Sequence, residues 1–259
     1  MAQKKLGISM RGGMARSTGY LGVLQALVEE GIKVDYVVGS SMGALIGVAF
    51  ASGFSFDEMS IIVANLRIPK MLSLESIKDL AVLGGNLVVE QIEEIFQNKN
   101  LEDTDIKTWV QCTSLEDKEV KFFERGSIAR IITATIAFPF FLKPVEIEGR
   151  HYIDGDISAG YGADILRANG ADVVIGLSGG MRGAKDHTSL AARFSEPLSI
   201  ALNTIKKKDL EINPLDLLIN DLGKDVGTHD FDRAPELVKF GYNKTKELMP
   251  EIKKLLDVA

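Results

Sequence analysis

The sequence predicts an α/β fold, with a mostly parallel central sheet flanked by helices. Three observations point to it. The first fifty residues alternate strand, loop, helix, strand, turn and helix, the order that builds parallel sheets. The segment "ILRANGADVVIGLSGG" repeats that order as a helix end followed by the apolar run Asp172–Leu177. Hydrophobic residues make up 46% of the 259 residues and charged residues 25%, so the chain can bury a sizeable core and is not of disordered composition. No internal repeat and no low-complexity linker divides it, and a single domain over residues 1–259 is the simplest expectation.

Leu6–Met10 is a short apolar strand. The Gly-rich stretch "RGGMARSTG" follows, and then "YLGVLQALVEEGI" places Leu21, Leu24, Leu27 and Val28 on one helical face, with Gly31 suited to end the helix. Val34–Val38 is β-branched and aromatic and reads as the next strand; Ala44–Ser52 is small and apolar and reads as a packed helix. Residues 55–108 read as mostly helical. "SFDEMSIIVANL" opens with Ser55 and has Glu58 three residues on, a capping-box pattern, and "NLVVEQIEEIF" is a second amphipathic segment. "TWVQCTSLEDKEVKFFERG" reads as two strands around a polar turn, and Ser127–Ala137 as a helix ended by Pro139. "VEIEGRHYIDGDI" reads as a hairpin turning near Glu148-Gly149, and the last sixty residues as helical segments around a loop at 221–232.

Composition excludes several functions. The net charge is -6, and no basic stripe is present to neutralise phosphates, so no nucleic-acid partner is expected. Lys206-Lys207-Lys208, the longest basic run, reads as a solvated helix face. The single cysteine, Cys112, cannot form an internal disulfide, and with three histidines there are too few clustered ligands for a structural zinc site. "MAQKKLGISM" lacks the apolar run of a signal peptide, and no stretch approaches the ~20 apolar residues that span a bilayer. A cytoplasmic location is therefore expected.

Between the strand ending at Val38 and the helix from Ala44 lies Gly39-Ser40-Ser41-Met42-Gly43. This is the G-x-S-x-G nucleophile-elbow pattern, in the strand–turn–helix context the pattern requires. A nucleophilic serine must stand clear of the sheet on a sharp turn, so its neighbours two residues away on either side must be small. The helix that follows aims its N-terminal N–H groups and dipole at the site, where they favour a developing oxyanion. Ser41 holds the central position, with Ser40 as a spacer. The plainer alternative is a Ser/Gly turn that only caps the helix.

A serine nucleophile needs a base. His151, His187 and His229 all lie downstream in strand-end or loop contexts, and the elbow follows only the second strand, unlike the α/β-hydrolase order. Asp154-Gly155-Asp156 supplies carboxylates on a turn after a strand, although taken alone it reads as an ordinary D-G turn. A calcium loop is excluded because the Gly and terminal Glu of EF-hand spacing are missing. "RGGMARSTG" lacks G-K-[ST] and a complete G-x-G-x-x-G, which argues against nucleotide binding.

Taken together, "RGGMARSTGYLGVLQALVEEGI", "DYVVGSSMGALIG", "GSIARIITATIAFPFFLKPVEIEGRHYIDGDI", "GADVVIGL" and "FDRAPELVKFGYNKTKELM" resemble, in order, the bacterial branch of the patatin-like phospholipase family. The resemblance implies a three-layer sandwich with a helical cap segment at 55–105. It also implies acyl-ester hydrolysis by a Ser–Asp dyad without histidine, in which Ser41 is the nucleophile and Asp154 the base. The oxyanion hole would come from backbone amides around Gly12, Gly13 and Met14, with Met42 adding a fourth, and Gly39 and Gly43 would be the elbow glycines. The substrate would be a phospholipid, lysophospholipid, neutral lipid or other acyl ester, with no metal or organic cofactor. Apolar residues in "IPKMLSLESIKDLAVLGGNLV" would line an acyl channel, touch a membrane surface peripherally or simply pack the core.

Two departures from the family stand out. Its G-G-G-x-R-G loop reads Gly12-Gly13-Met14-Ala15-Arg16-Ser17 here, and the third residue of its D-G-[GA] motif is Asp156. The altered loop leaves open a catalytically weak member with a regulatory or scaffolding role. Arg16 matches the basic position, as loop tether or as substrate contact. A second carboxylate at Asp156 is expected to raise the pKa of Asp154 if both are desolvated.

Overall fold

A computed structural model describes residues 4–65, 88–139, 142–180, 190–223, 226–227 and 230–258. The strands are β1 (Leu6–Met10), β2 (Tyr36–Gly39), β3 (Lys107–Ser114), β4 (Val120–Phe123), β5 (Val145–Ile147), β6 (Arg150–Asp154), β7 (Val173–Leu177) and β8 (Leu217–Ile219). The helices are α1 (Gly19–Glu29), α2 (Ser41–Ala51), α3 (Phe56–Asn65), α4 (within 88–96), α5 (Ile128–Thr135), α6 (Ala163–Ala168), α7 (Leu190–Ile212) and α8 (Ala234–Leu255).

One eight-stranded sheet runs β5-β6-β3-β2-β1-β7-β8, with β4 also paired to β3. The β3–β2, β2–β1, β1–β7 and β7–β8 pairs are parallel, whereas β4 and β6 meet β3 antiparallel. Strand periodicity sorts side chains to two faces. Ile8, Val37, Val173 and Ile175 join α1, α2, α5 and α8 in the larger core. Val38, Trp109 and Val174 turn the other way and meet Ala163 and Leu166 of α6. Helices on both faces of a largely parallel sheet make the expected three layers.

Most elements lie where the sequence places them. Ser55 and Glu58 form the reciprocal capping box: Ser55 N–H donates to Glu58 Oε2 at 2.8 Å and Glu58 N–H to Ser55 Oγ at 3.3 Å. Glu148 and Gly149 both have positive φ, 52° and 76°, as a two-residue hairpin turn requires. Three boundaries differ notably, and one strand was not expected. The second helix starts at Ser41 rather than Ala44, with Ser40 extended before it. The second strand starts at Tyr36 because the Asp35 carboxylate takes the Leu6 N–H that a strand partner would otherwise receive (3.0 Å). Ser127 caps its helix from outside, leaving Ile128–Thr135. Within the last sixty residues, Leu217–Ile219 is a strand, held at the sheet edge by β7 despite its three-residue length. Of the segment expected to form a cap, α3 and α4 are helical; "IPKMLSLESIKDLAVLGGNLV" lies outside the described residues except for Val88 in α4. Among the described residues no helix is long and apolar enough to cross a membrane.

Helices α1 and α8 run against each other with glycines at the contact. A Cβ at Gly22 would collide with Val238 O, and one at Gly241 with Gly19 O. Both obstacles are backbone and cannot rotate away. Gly22→Ala and Gly241→Ala are therefore each expected to destabilise the fold by about 1–3 kcal/mol, the usual cost of overpacking. Urea unfolding of the two variants would measure it, and wild-type midpoints would show the helix pair to be looser than described.

Candidate active site

Strands β1 and β2 are adjacent and parallel, with Met10 opposite Gly39, so their C-terminal ends leave the sheet side by side. The turn after β2 carries Ser41 at φ 52°, a left-handed conformation that costs a non-glycine residue about 1–2 kcal/mol. That strain is what lifts the side chain off the sheet. The neighbours must be glycine: a Cβ at Gly39 would lie 2.7 Å from Ala44 Cα, and one at Gly43 would lie 2.6 Å from Arg11 O. Ser41 N–H is held by Thr135 Oγ1 at 2.9 Å, and Thr135 in turn donates to Gln111 O at 2.6 Å.

Asp154 reaches Ser41 from β6. Residue 154 pairs with Cys112 in the β3–β6 ladder, and Thr113 Oγ1 donates to its carbonyl at 2.8 Å. Ser41 Oγ donates to Asp154 Oδ2 at 2.8 Å, and Asp156 N–H donates to Asp154 Oδ1 at 2.8 Å. Both carboxylate oxygens are thus engaged, and residues Ser41 and Asp154 are 8% and 1% exposed. Burial, then the Asp156 charge beside it, raise the Asp154 pKa to about 8. Burial pushes the Cys112 thiol, behind Asp154, up as well.

The Gly-rich loop crosses over the elbow. A Cβ at Gly12 would lie 2.6 Å from Ser41 Cβ and 2.5 Å from Asp156 Oδ2, so only glycine lets the loop approach this closely. Gly12 N–H faces Asp156 Oδ1 at 3.4 Å. Met14, at a position where the resemblance implies glycine, has φ 53° and so keeps glycine-like geometry at the cost just given. Arg16 is buried and acts as the loop's tether, donating from Nε to Val226 O (2.8 Å) and from Nη1 to Gly180 O (3.1 Å). Met42 is the second residue of α2, where first-turn N–H groups have no intrahelical acceptor.

The sequence reading missed the charges around this pair. Arg11 is 1% exposed and makes an ion pair with Asp156 at 2.9 Å. An arginine immediately after a short, mostly apolar strand was the available signal. Ser40 is more than a spacer, since its Oγ donates to Asp156 Oδ1 at 2.5 Å. Lys206 departs from the expected solvated face: Lys207 and Lys208 are exposed, but Lys206 is half-buried and faces Asp156. Of the histidines, His151 is exposed and held by Glu116 at 2.8 Å, whereas His187 and His229 lie outside the described residues.

Fold and site together define a three-layer α/β protein with a serine on a strained strand–helix turn, hydrogen-bonded to a buried aspartate. A family model described as patatin-like phospholipase matches residues 8–167. Patatin-like phospholipase domain-containing protein 7 of Rattus norvegicus is 27% identical over 197 residues, which are 73% of this chain and 15% of that protein. An NTE family protein of Mycobacterium tuberculosis is 29% identical over 176 residues, 67% of this chain and 49% of that protein. The crystal structure of VipD from Legionella pneumophila aligns with TM-score 0.56 and 15% identity, covering 96% of this chain and 67% of that one. This chain belongs to the patatin-like phospholipase family. It spans 15% of the rat relative's length and about half of the mycobacterial relative's.

Because the pKa of Asp154 is raised by folding, the fold holds a proton that the unfolded chain releases at lower pH, and stability falls as pH rises between about 4 and 8. Asp154→Asn removes the buried charge while Oδ1 still accepts from Asp156 N–H. The variant is expected to melt above the wild type, with a gap wider near pH 9 than near pH 5, where Asp154 is already neutral. A gap independent of pH in thermal melts would show that Asp154 does not carry this titration.

Proposed function

We propose that this protein is a lipid acyl-ester hydrolase in which Ser41 is the nucleophile and Asp154 its base. The observation that carries the reading is the 2.8 Å hydrogen bond from Ser41 Oγ to a buried carboxylate, made by a serine on a strained elbow. As Ser41 Oγ attacks the ester carbonyl, Asp154 takes its proton; the carbonyl π pair becomes the oxyanion. Collapse of that intermediate expels the alcohol, which takes the proton back from Asp154 and leaves an acyl-enzyme. Water then attacks the acyl-enzyme with Asp154 again as base, releasing the fatty acid and restoring Ser41. A raised base pKa favours the first transfer, because each unit narrows the gap to the serine hydroxyl by about 1.4 kcal/mol. The same shift means that activity appears only as pH rises through about 8.

The oxyanion would be received by Gly13, Met14 and Met42 amides. Gly12 N–H is turned towards Asp156, and so in this geometry it serves the loop first. An oxyanion donor is worth about 2.7–4 kcal/mol in the transition state, more than the dihedral cost at Met14, so the strained loop is a favourable exchange. The substrate class is a lipid acyl ester, met without a helix that crosses the membrane among the described residues. A second reading, a catalytically weak member with a regulatory role, draws on Met14 and Ser17 in the loop and on the near-burial of Ser41.

A fluorophosphonate probe and a panel of acyl esters separate the two readings. Ser41→Ala is expected to abolish labelling and hydrolysis. Asp154→Asn should lower turnover by about 10²–10⁴, the range of general base catalysis, while His151→Ala stays near wild type. An unlabelled wild-type protein, from pH 7 up to about pH 9, would favour the regulatory reading; that window brackets the base's titration.

Met14 gives a sharper test of the loop. Met14→Gly should leave activity similar or modestly higher, since both residues carry the N–H. Met14→Pro removes the N–H and, because proline fixes φ near about −65°, also the left-handed turn at φ 53°, so turnover should fall by at least about 10²–10³ in a folded variant. Wild-type turnover in Met14→Pro would move the hole to Gly13 and Met42.

A further inference from the structure

Asp156 occupies the position where the resemblance implies Gly or Ala, and it is bound from four directions. Its Oδ1 forms an ion pair with Arg11 Nη2 at 2.9 Å, accepts from Ser40 Oγ at 2.5 Å and faces Gly12 N–H at 3.4 Å. Its own N–H holds Asp154 Oδ1 at 2.8 Å. One residue therefore joins the Gly-rich loop, the elbow and the strand end that carries the proposed base. Arg11 is itself fixed: Nη1 donates to Ala159 O at 2.5 Å and to Gly160 O, and its guanidinium lies over the Tyr161 ring at 5.7 Å.

We propose that Asp156 is a positioning residue that clamps the Gly-rich loop to the elbow and, as an ionised neighbour balanced by Arg11 and Lys206, sets the basicity of Asp154. The proposal rests on the reading of Ser41 and Asp154 as nucleophile and base. The groups that face this carboxylate pair come from every element packed around it. Arg11 comes from the loop after β1, Lys206 from α7, Tyr20 from α1, Tyr161 from the loop before α6 and Cys112 from β3. Asp209 of α7 stands behind Tyr161 and accepts its N–H at 2.5 Å. Arg11, and then Lys206, hold Asp156 below the usual carboxylate range despite its burial. Asp156 remains charged across the working pH, and a like charge raises the proton affinity of a neighbouring carboxylate. Neutralising Asp156 leaves Asp154 facing two cations, which favours its ionised form. Removing a cation does the opposite.

The test is the pH dependence of kcat/KM and of fluorophosphonate labelling rate for the full chain. Wild type, Asp156→Asn, Lys206→Met and Arg11→Met would be compared, with melting curves to establish folding. Asp156→Asn keeps the acceptor oxygen and is expected to move the acid limb down by at least about one pH unit, a roughly tenfold change in the fraction of ionised base at fixed pH. Lys206→Met, on a half-buried helical position, is expected to move the limb up, and Arg11→Met further up if folded. A purely structural role would lower rates without opposed shifts. An Asp156→Asn limb at the wild-type pH, or both variants moving it the same way, would overturn the proposal. Persistence of activity in Ser41→Ala would instead overturn the assignment of nucleophile and base on which it rests.

Discussion

The constraint on which the site depends is the close crossing of two backbones at the C-terminal edge of the sheet. Parallel pairing of β1 and β2, with Met10 opposite Gly39, sends two chain segments out of the sheet at one point. They pass so closely that Gly43 has no room for a side chain beneath the Met10 and Arg11 carbonyls, and Gly12 has none above Ser41. Parallel strands set this geometry because both exit at the same edge, where helix N-termini also gather. Ser41 takes a left-handed backbone in consequence, and Met14 takes another in the loop. The local strain is small beside the burial of the strands that impose it.

The second organising feature is a set of charges kept away from water. Asp154, Asp156 and Arg11 are all largely buried, and Lys206 is half-buried. Removing an isolated charge from water is costly, so such groups survive only as pairs with their hydrogen bonds met. Arg11 and Asp156 meet that rule in part: the ion pair balances the charges, Arg11 Nη1 donates to two carbonyls and Asp156 accepts from a hydroxyl, while Arg11 Nε has no hydrogen-bond acceptor among the described residues. Asp154 does not: it accepts from a serine and an amide but faces another carboxylate, and its proton affinity rises. A fold selected only for stability would place a neutral residue there. The placement fits a base, and it explains why the site's energetics and its chemistry are the same question.

The larger architecture serves this corner. The core under α1, α2, α5 and α8 fixes the strand ends from one face, and the smaller core under α6 fixes them from the other. Tyr20 bridges the layers, donating to Arg11 O at 2.8 Å and accepting from Gly179 N–H at 3.0 Å. Arg16 ties the Gly-rich loop to carbonyls beyond β7 and beyond β8. The loop is therefore anchored through the basic residue it shares with the family pattern, while Met14 keeps the left-handed backbone a glycine would take.

The sequence by itself determined the alternation of strands and helices, the elbow, the capping box and the hairpin, because each is written in residues close together in the chain. Periodicity, Gly spacing and small-residue runs are local signals, and the resemblance added Asp154, which spacing could not. Other features were decided only by tertiary structure. Leu217–Ile219 is too short to be read as a strand, and becomes one because β7 offers an unpaired edge. Ser41 opens its helix because Ser40, extended at the N-cap position, gives its carbonyl to Ala44 N–H while its hydroxyl goes to Asp156. Lys206 faces Asp156 from an α7 tied to the loop before α6 by the Tyr161 N–H bond to Asp209, and Arg11 and Asp156, 145 positions apart in a chain read linearly, meet only because β6, antiparallel to β3, ends just beyond the C-terminal end of β1. Charge pairing across the chain depends on distance in space, and distance in space is what a single sequence does not contain.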